Sequence, residues 1–217
     1  SKNILDEEKN ANAFNQTIIF CYIFAIPSSF ALFFISEDIV RALFGRGEFL
    51  SKDVLITANL LLIYSFSLPG YMISRICNQV FYSYERVDLP IKASIPTFIL
   101  NLILCFFLHR SLGVYGLAIA GSISVWLNVF IQILYLRFYF SYFYKKIKLI
   151  NILKITKILT SSFIMIFIIL FLQNIININI YFDLFILIIV GVFVFFTVLK
   201  LLKLEEYSLI YKSKLFN

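Results

Sequence analysis

The chain has 217 residues, of which 61% are hydrophobic and only 14% charged, with a formal net charge of +7 and a mean hydropathy of +0.93. Soluble domains carry about 25% charged residues, so these few charges exclude a water-soluble globular domain of this apolar content. The apolar residues arrive in blocks of roughly 20, the length at which a helix crosses the hydrocarbon of a bilayer.

The opening stretch, residues 1–16, is polar and mixed in charge. It lacks the basic start and apolar core of a signal peptide. With Ser1 in place of Met, it reads as a cytoplasmic linker in a fragment of a longer protein. A first apolar run covers Thr17–Ile35 and contains Pro27. Ser36 is then expected to cap a short interfacial helix over 37–45, with Glu37 and Asp38 in its first turn and Gly45 or Gly47 ending it. Ile39, Val40, Leu43 and Phe44 share one face of that helix, which predicts that it lies along the interface.

A second run, Ser51 to Tyr82, is interrupted at Leu68–Pro69–Gly70. A missing backbone donor beside a flexible residue predicts a hinge at Pro69 and Gly70. The third run, Ile91–Leu108, again holds a proline, Pro96. The fourth, Val114–Leu136, places Gly116, Ala120 and Ser124 at four-residue spacing, which allows close helix contact. After a basic cytoplasmic connection at 138–151, two further runs, Ile152–Leu172 and Ile180–Leu199, fill 152–204, and 205–217 forms a tail. Helices are expected throughout, because an open sheet leaves its edges unpaired in lipid and barrel strands would alternate in polarity. The reading is an all-α integral membrane protein of about six transmembrane helices, four of them within 17–137.

Basic residues set the orientation. Fourteen of them, among them Lys2, Lys9, Arg86, Lys92, the cluster from Arg137 to Lys157 and four after Leu199, fall on one side of the membrane. Four fall on the other, Arg41, Arg46, Lys52 and Arg110. By the positive-inside rule both termini are expected in the cytoplasm. The positive charge thus sits beside helix ends, where anionic membrane lipids attract it, and gives no indication of nucleic acid as a partner.

Arg75 is the one charge deep within a span, in the run YMISRICNQVFY. An intramembrane arginine is costly and faces a partner or a wet cavity. Asn78 and Gln79 follow within a turn, so Arg75, Asn78 and Gln79 are the candidates for a substrate path, and a guanidinium suits a phosphate. Structurally, the same arginine can instead snorkel or pair with a carboxylate. Asn59, Asn101, Asn128 and Gln132 are read as amides that hold helices together. Cys21, Cys77 and Cys105 lie singly in apolar segments and read as plain buried thiols. One histidine, His109, cannot build a metal site, and neither catalytic motifs nor a phosphate-cradling glycine loop occurs. Neither an enzyme nor a cofactor is therefore expected.

Three stretches carry a family resemblance. IPSSFALFFISEDIVRALFGRGEF, from Ile26 to Phe49, resembles a proline-containing span followed by an acidic amphipathic helix and a Phe–x–x–Gly–x–Phe turn, here Phe44, Gly47 and Phe49. YSFSLPGYMISRICNQVFYSYERVDLPIKAS has Phe81–Tyr82 followed by Leu89–Pro90–Ile91–Lys92, with Leu89 where the pattern has threonine. LGVYGLAIAGSISVWLNVFIQILYLR, Leu112 to Arg137, looks like a Gly–x–x–Gly–Leu–Ala span. All three are similar to the bacterial lipid II flippases of the MurJ (MviN) family, and from Arg137 onward only hydropathy agrees. The resemblance implies helices nine to fourteen of fourteen, the C-terminal part of a two-lobe bundle in the bacterial inner membrane. It further implies movement of lipid II through a central cavity by alternating access, with the upstream helices of the same protein as partners. Ile152–Leu199 would form a groove for the lipid tail. The family's cavity arginines lie mostly upstream of this chain. The alternatives are a flippase for another polyprenyl-linked sugar and a non-transporting scaffold or decayed fragment.

Overall fold

The computed structural model describes residues 2–147, 151–175 and 179–204, with side chains from Glu8 onward; the tail at 205–217 lies outside the described residues. Among the described residues nine helices run in order: α1 Lys2–Phe34, α2 Ser36–Phe44, α3 Ser51–Ser65, α4 Leu68–Ser83, α5 Asp88–Leu112, α6 Val114–Tyr139, α7 Ser141–Lys146, α8 Ile152–Gln173 and α9 Ile180–Leu201. Five of them are long and apolar enough to cross a membrane, and the count reaches six if α3 and α4 are taken as one broken span.

Four features differ from the sequence reading. The stretch expected as a linker, 1–16, is helical from Lys2, so α1 runs 33 residues without a break. Ser36 is not a capping residue: α2 begins at Ser36 itself, which is buried, and Ile35 occupies the cap without a side-chain bond. The basic connection contains the short helix α7. The break in the second span lies at Phe66–Ser67, two residues before the expected position. Pro69 occupies the first turn of α4, where its missing N–H costs nothing. Its ring would clash with the carbonyl four residues earlier if the helix continued, and that residue, Ser65, is where α3 ends.

The helices fall into two compact units, with α1 divided between Cys21 and Tyr22: one holds the start of α1 with α4 to α7, the other the rest of α1 with α2, α3, α8 and α9. In the first unit, α5 and α6 form a tight hairpin turning on Gly113, whose φ of +57° favours glycine. Gly116, Ala120 and Ser124 are buried along α6, as their spacing predicts. At Gly116 a Cβ would stand 2.3 Å from the backbone oxygen of Leu108, so the two helices meet backbone to backbone. α7 is tied to α1 by an edge-on contact of Phe14 with Phe143 at 5.6 Å and an ion pair of Lys146 with Glu8 at 2.7 Å.

In the second unit, α2 buries Val40 against Val54 and Ala58 of α3, with Phe49 and Leu61 packed around them. Gly45 ends α2, its N–H bonded to the carbonyl of Arg41. The Leu50 N–H donates to Asp53 Oδ2 at 3.0 Å, which caps α3. The Gln173 side chain at the end of α8 donates to the Asp38 carboxylate of α2. α8 and α9 cross where Gly191 meets Ile169 and Met165. Ser161 and Ser162 are buried in α8 and donate back to carbonyls one turn earlier, which satisfies their hydroxyls in an apolar setting. Large apolar side chains such as Phe107, Phe167 and Phe193 are exposed, as befits faces whose solvent is lipid.

Candidate functional site

The candidate residues all sit on α4, whose buried face is Gly70, Ile73, Ile76, Cys77 and Phe81. At about 100° per residue, Asn78 lies about 60° to one side of Arg75 and Gln79 about 40° to the other. The three therefore share one broad sector without converging on one point. Asn78 turns toward α6, Gln79 turns toward α1, and Arg75 stands between them, exposed.

Gln79 borders a cavity of about 170 Å³ whose other walls include Asn10 and Thr17 of α1 and Phe143 of α7. Asn78 borders a larger cavity of about 410 Å³ between α4, α5 and α6, walled by polar groups that include Ser74, Thr97, Asn101, Asn128 and Gln132. There the side chains form a linked set. Ser74 Oγ donates to Asn128 Oδ1 at 3.2 Å, and Asn128 Nδ2 donates to Thr97 Oγ1 at 3.3 Å. Asn101 Nδ2 donates to Ser124 Oγ at 3.2 Å, and Gln132 Nε2 donates to Asn78 Oδ1 at 2.9 Å. Three of the four amides read as helix glue, Asn101, Asn128 and Gln132, thus bond across helices. Asn59 is exposed. Ser74 and Thr97 complete the set and escaped the sequence reading, because a hydroxyl in a helix ordinarily satisfies itself on its own backbone. The two positions are only legible once α4 and α5 are rotated against α6.

Arg75 has no hydrogen bond or ion pair among the described residues, and its charge is within electrostatic range of Cys21 on α1. The acidic residues of the first unit, Asp6, Glu7, Glu8, Glu85 and Asp88, belong to the first two turns of α1 or to the turn that joins α4 to the first residue of α5. Asp88 is already held by Arg86, through its Nε at 2.9 Å, and by Lys92 at 2.8 Å, while the Arg86 guanidinium stacks over Tyr139 at 4.8 Å. Chemically, α4 thus presents a free guanidinium between two polar cavities, suited to an anion with hydrogen-bonding neighbours. Pro69 and Gly70 lie a turn away; a Cβ on Gly70 would come within 2.9 Å of Val125, so α4 and α6 pack closely there.

Comparison with known proteins places these helices in a family. The lipid II flippase MurJ family matches residues 1–192. A probable lipid II flippase MurJ of Aquifex aeolicus is 38% identical over 102 residues, 46% of this chain and 20% of the relative. The lipid II flippase MurJ of Thermosipho africanus is 32% identical over 167 residues, 76% of this chain and 33% of that protein. A solved structure, lipid II flippase MurJ in an inward closed conformation, superposes with a TM-score of 0.76 at 28% identity, over 96% of this chain and 42% of that one. The chain spans well under half the length of these relatives, and it belongs to the lipid II flippase MurJ family.

Proposed function

We propose that this chain is the C-terminal part, helices nine to fourteen, of a flippase that carries lipid II across the bacterial inner membrane by alternating access. The observation that carries the reading is the family match over residues 1–192. Arg75, exposed on a broken span with no carboxylate partner among the described residues, supports it as a contact for a pyrophosphate passing along α4. Asn78 and Gln79 line the two cavities beside that path, and the break next to Pro69 and Gly70 acts as the hinge. Both termini lie in the cytoplasm, in keeping with the distribution of lysine and arginine. The partners are lipid II, the surrounding membrane lipids and the remaining helices of the family-length protein.

The test is rescue of bacteria depleted of their own lipid II flippase. The chain is expressed alone and at family length, and lipid II on the outer leaflet is measured. Rescue at family length and none by the 217 residues alone is the expected result. Abundant, inserted family-length protein without rescue would overturn the substrate. Transfer of a different polyprenyl-linked sugar would then identify the alternative flippase.

A further inference from the structure

On the wall of the cavity between α4, α5 and α6 stands a buried acceptor that no described residue answers. Gln132 is 1% exposed, its nitrogen is committed to Asn78, and its Oε1 has no hydrogen-bond partner. A buried acceptor left alone costs about 1–3 kcal/mol, and lipid offers it nothing. Beside it, no described residue accepts from Asn78 Nδ2. Gln132, with its unpaired acceptor, and Asn78, with its unpaired donor, both stand on the wall of a cavity of about 410 Å³.

We propose that this cavity binds a neutral hydroxyl group, of water or of a sugar, which donates to Gln132 Oε1 and accepts from Asn78 Nδ2. Only a group that both donates and accepts answers this pair. A cation asks for acceptors alone, and a carboxylate or phosphate for donors alone. None of the residues lining the cavity carries a formal charge, so an ion there would be buried without a counter-charge, which is costly at membrane depth. The volume exceeds the roughly 30 Å³ share of one water several times over and reaches the lower range of ligand pockets, about 300–1,000 Å³. The hydroxyl chemistry stands on the cavity alone; the sugar as its source rests on the flippase reading.

The experiment reads thiol labelling in the family-length protein in native membranes, with Cys21, Cys77 and Cys105 replaced by alanine. Ser74→Cys and Ser94→Cys, two independent near-isosteric reporters on the cavity wall, are compared with Phe130→Cys on the exposed apolar face of α6, using a small water-soluble methanethiosulfonate. Hydroxyl contact that eases thiol ionisation by one pKa unit gives about tenfold more thiolate, hence about tenfold faster labelling. Both reporters are expected to show that excess, and adding Gln132→Leu is expected to abolish it. Labelling at the Phe130→Cys rate means a dry cavity and overturns the proposal; an excess unaffected by Gln132→Leu overturns the role of Oε1. Slowing by sodium chloride but not by choline chloride would assign a cation and overturn the neutral ligand. Protection by a polyprenyl-pyrophosphate disaccharide, but not by polyprenyl pyrophosphate, identifies a sugar hydroxyl; protection by neither identifies water. Because no transport is measured, failure of the rescue test leaves these outcomes readable.

Discussion

At Gly116 the hairpin of α5 and α6 tolerates no side chain, since its added Cβ would meet backbone atoms of Leu108 and His109 within 3 Å and backbone cannot step aside. Gly116→Ala is expected to cost about 1–3 kcal/mol, the range of overpacked cores, read as a lowered melting temperature in detergent. Gly191 offers the contrast, because there the nearest atom is the mobile end of Ile169. Asp38 supplies a pH dependence. Burial pushes its carboxyl above the ordinary 3.8, Glu37 adds to the shift and Arg41 opposes it. The folded state therefore binds its proton more tightly than the unfolded chain does. The resulting destabilisation is fully present above the raised value and is relieved as pH falls through it toward 3.8. The group is partly exposed, so the effect is small. Asp38→Asn keeps an acceptor for Gln173 and removes the charge, so its melting temperature at neutral pH is expected to match or exceed the parent's, with a flatter acid dependence. A clear loss at neutral pH would show that the charge itself holds α2 to α8.

Among the elements, the broken span is the one whose form follows most directly from a single ring. Pro69 forbids the helical bond to Ser65, α3 stops there, and α4 restarts at Leu68. Pro69→Ala removes that steric block, so amide exchange at residues 66–68 is expected to slow as the helix closes over the gap; unchanged exchange would assign the break to packing around Gly70 instead. The spans themselves were legible from hydropathy, because the bilayer imposes length and apolarity on each of them. The helical start of α1 was not, because residues 2–16 are polar and helix propensity there is a weak signal. Nor were the bonds of Ser74 with Asn128 or of Asn78 with Gln132 legible. They join positions 54 apart, and helix rotation, which hydropathy does not encode, decides which polar groups meet.

At the scale of the molecule, large apolar side chains are exposed in both units, and within the first unit polar side chains gather between α4, α5 and α6. Arg75 is the exception to that arrangement, an exposed cation in a span with no carboxylate partner among the described residues. In the family-length protein Arg75→Ala is expected to reduce lipid II transport by more than it reduces membrane abundance; parallel losses would make the residue structural. The family's C-terminal motifs were readable as far as Arg137, and the role of Arg75 was not, because a ligand-facing and a lipid-facing arginine look alike in one sequence. The break has a further property. There the Phe66 carbonyl accepts the indole N–H of Trp126 at 3.1 Å, and Trp126 is the only tryptophan among the 217 residues. Intrinsic fluorescence of this chain therefore comes with its probe already installed at the joint. Any motion that withdraws Phe66 from the indole changes the polarity the ring senses and shifts its emission, so the cycle of the broken span can be followed optically without attaching a dye.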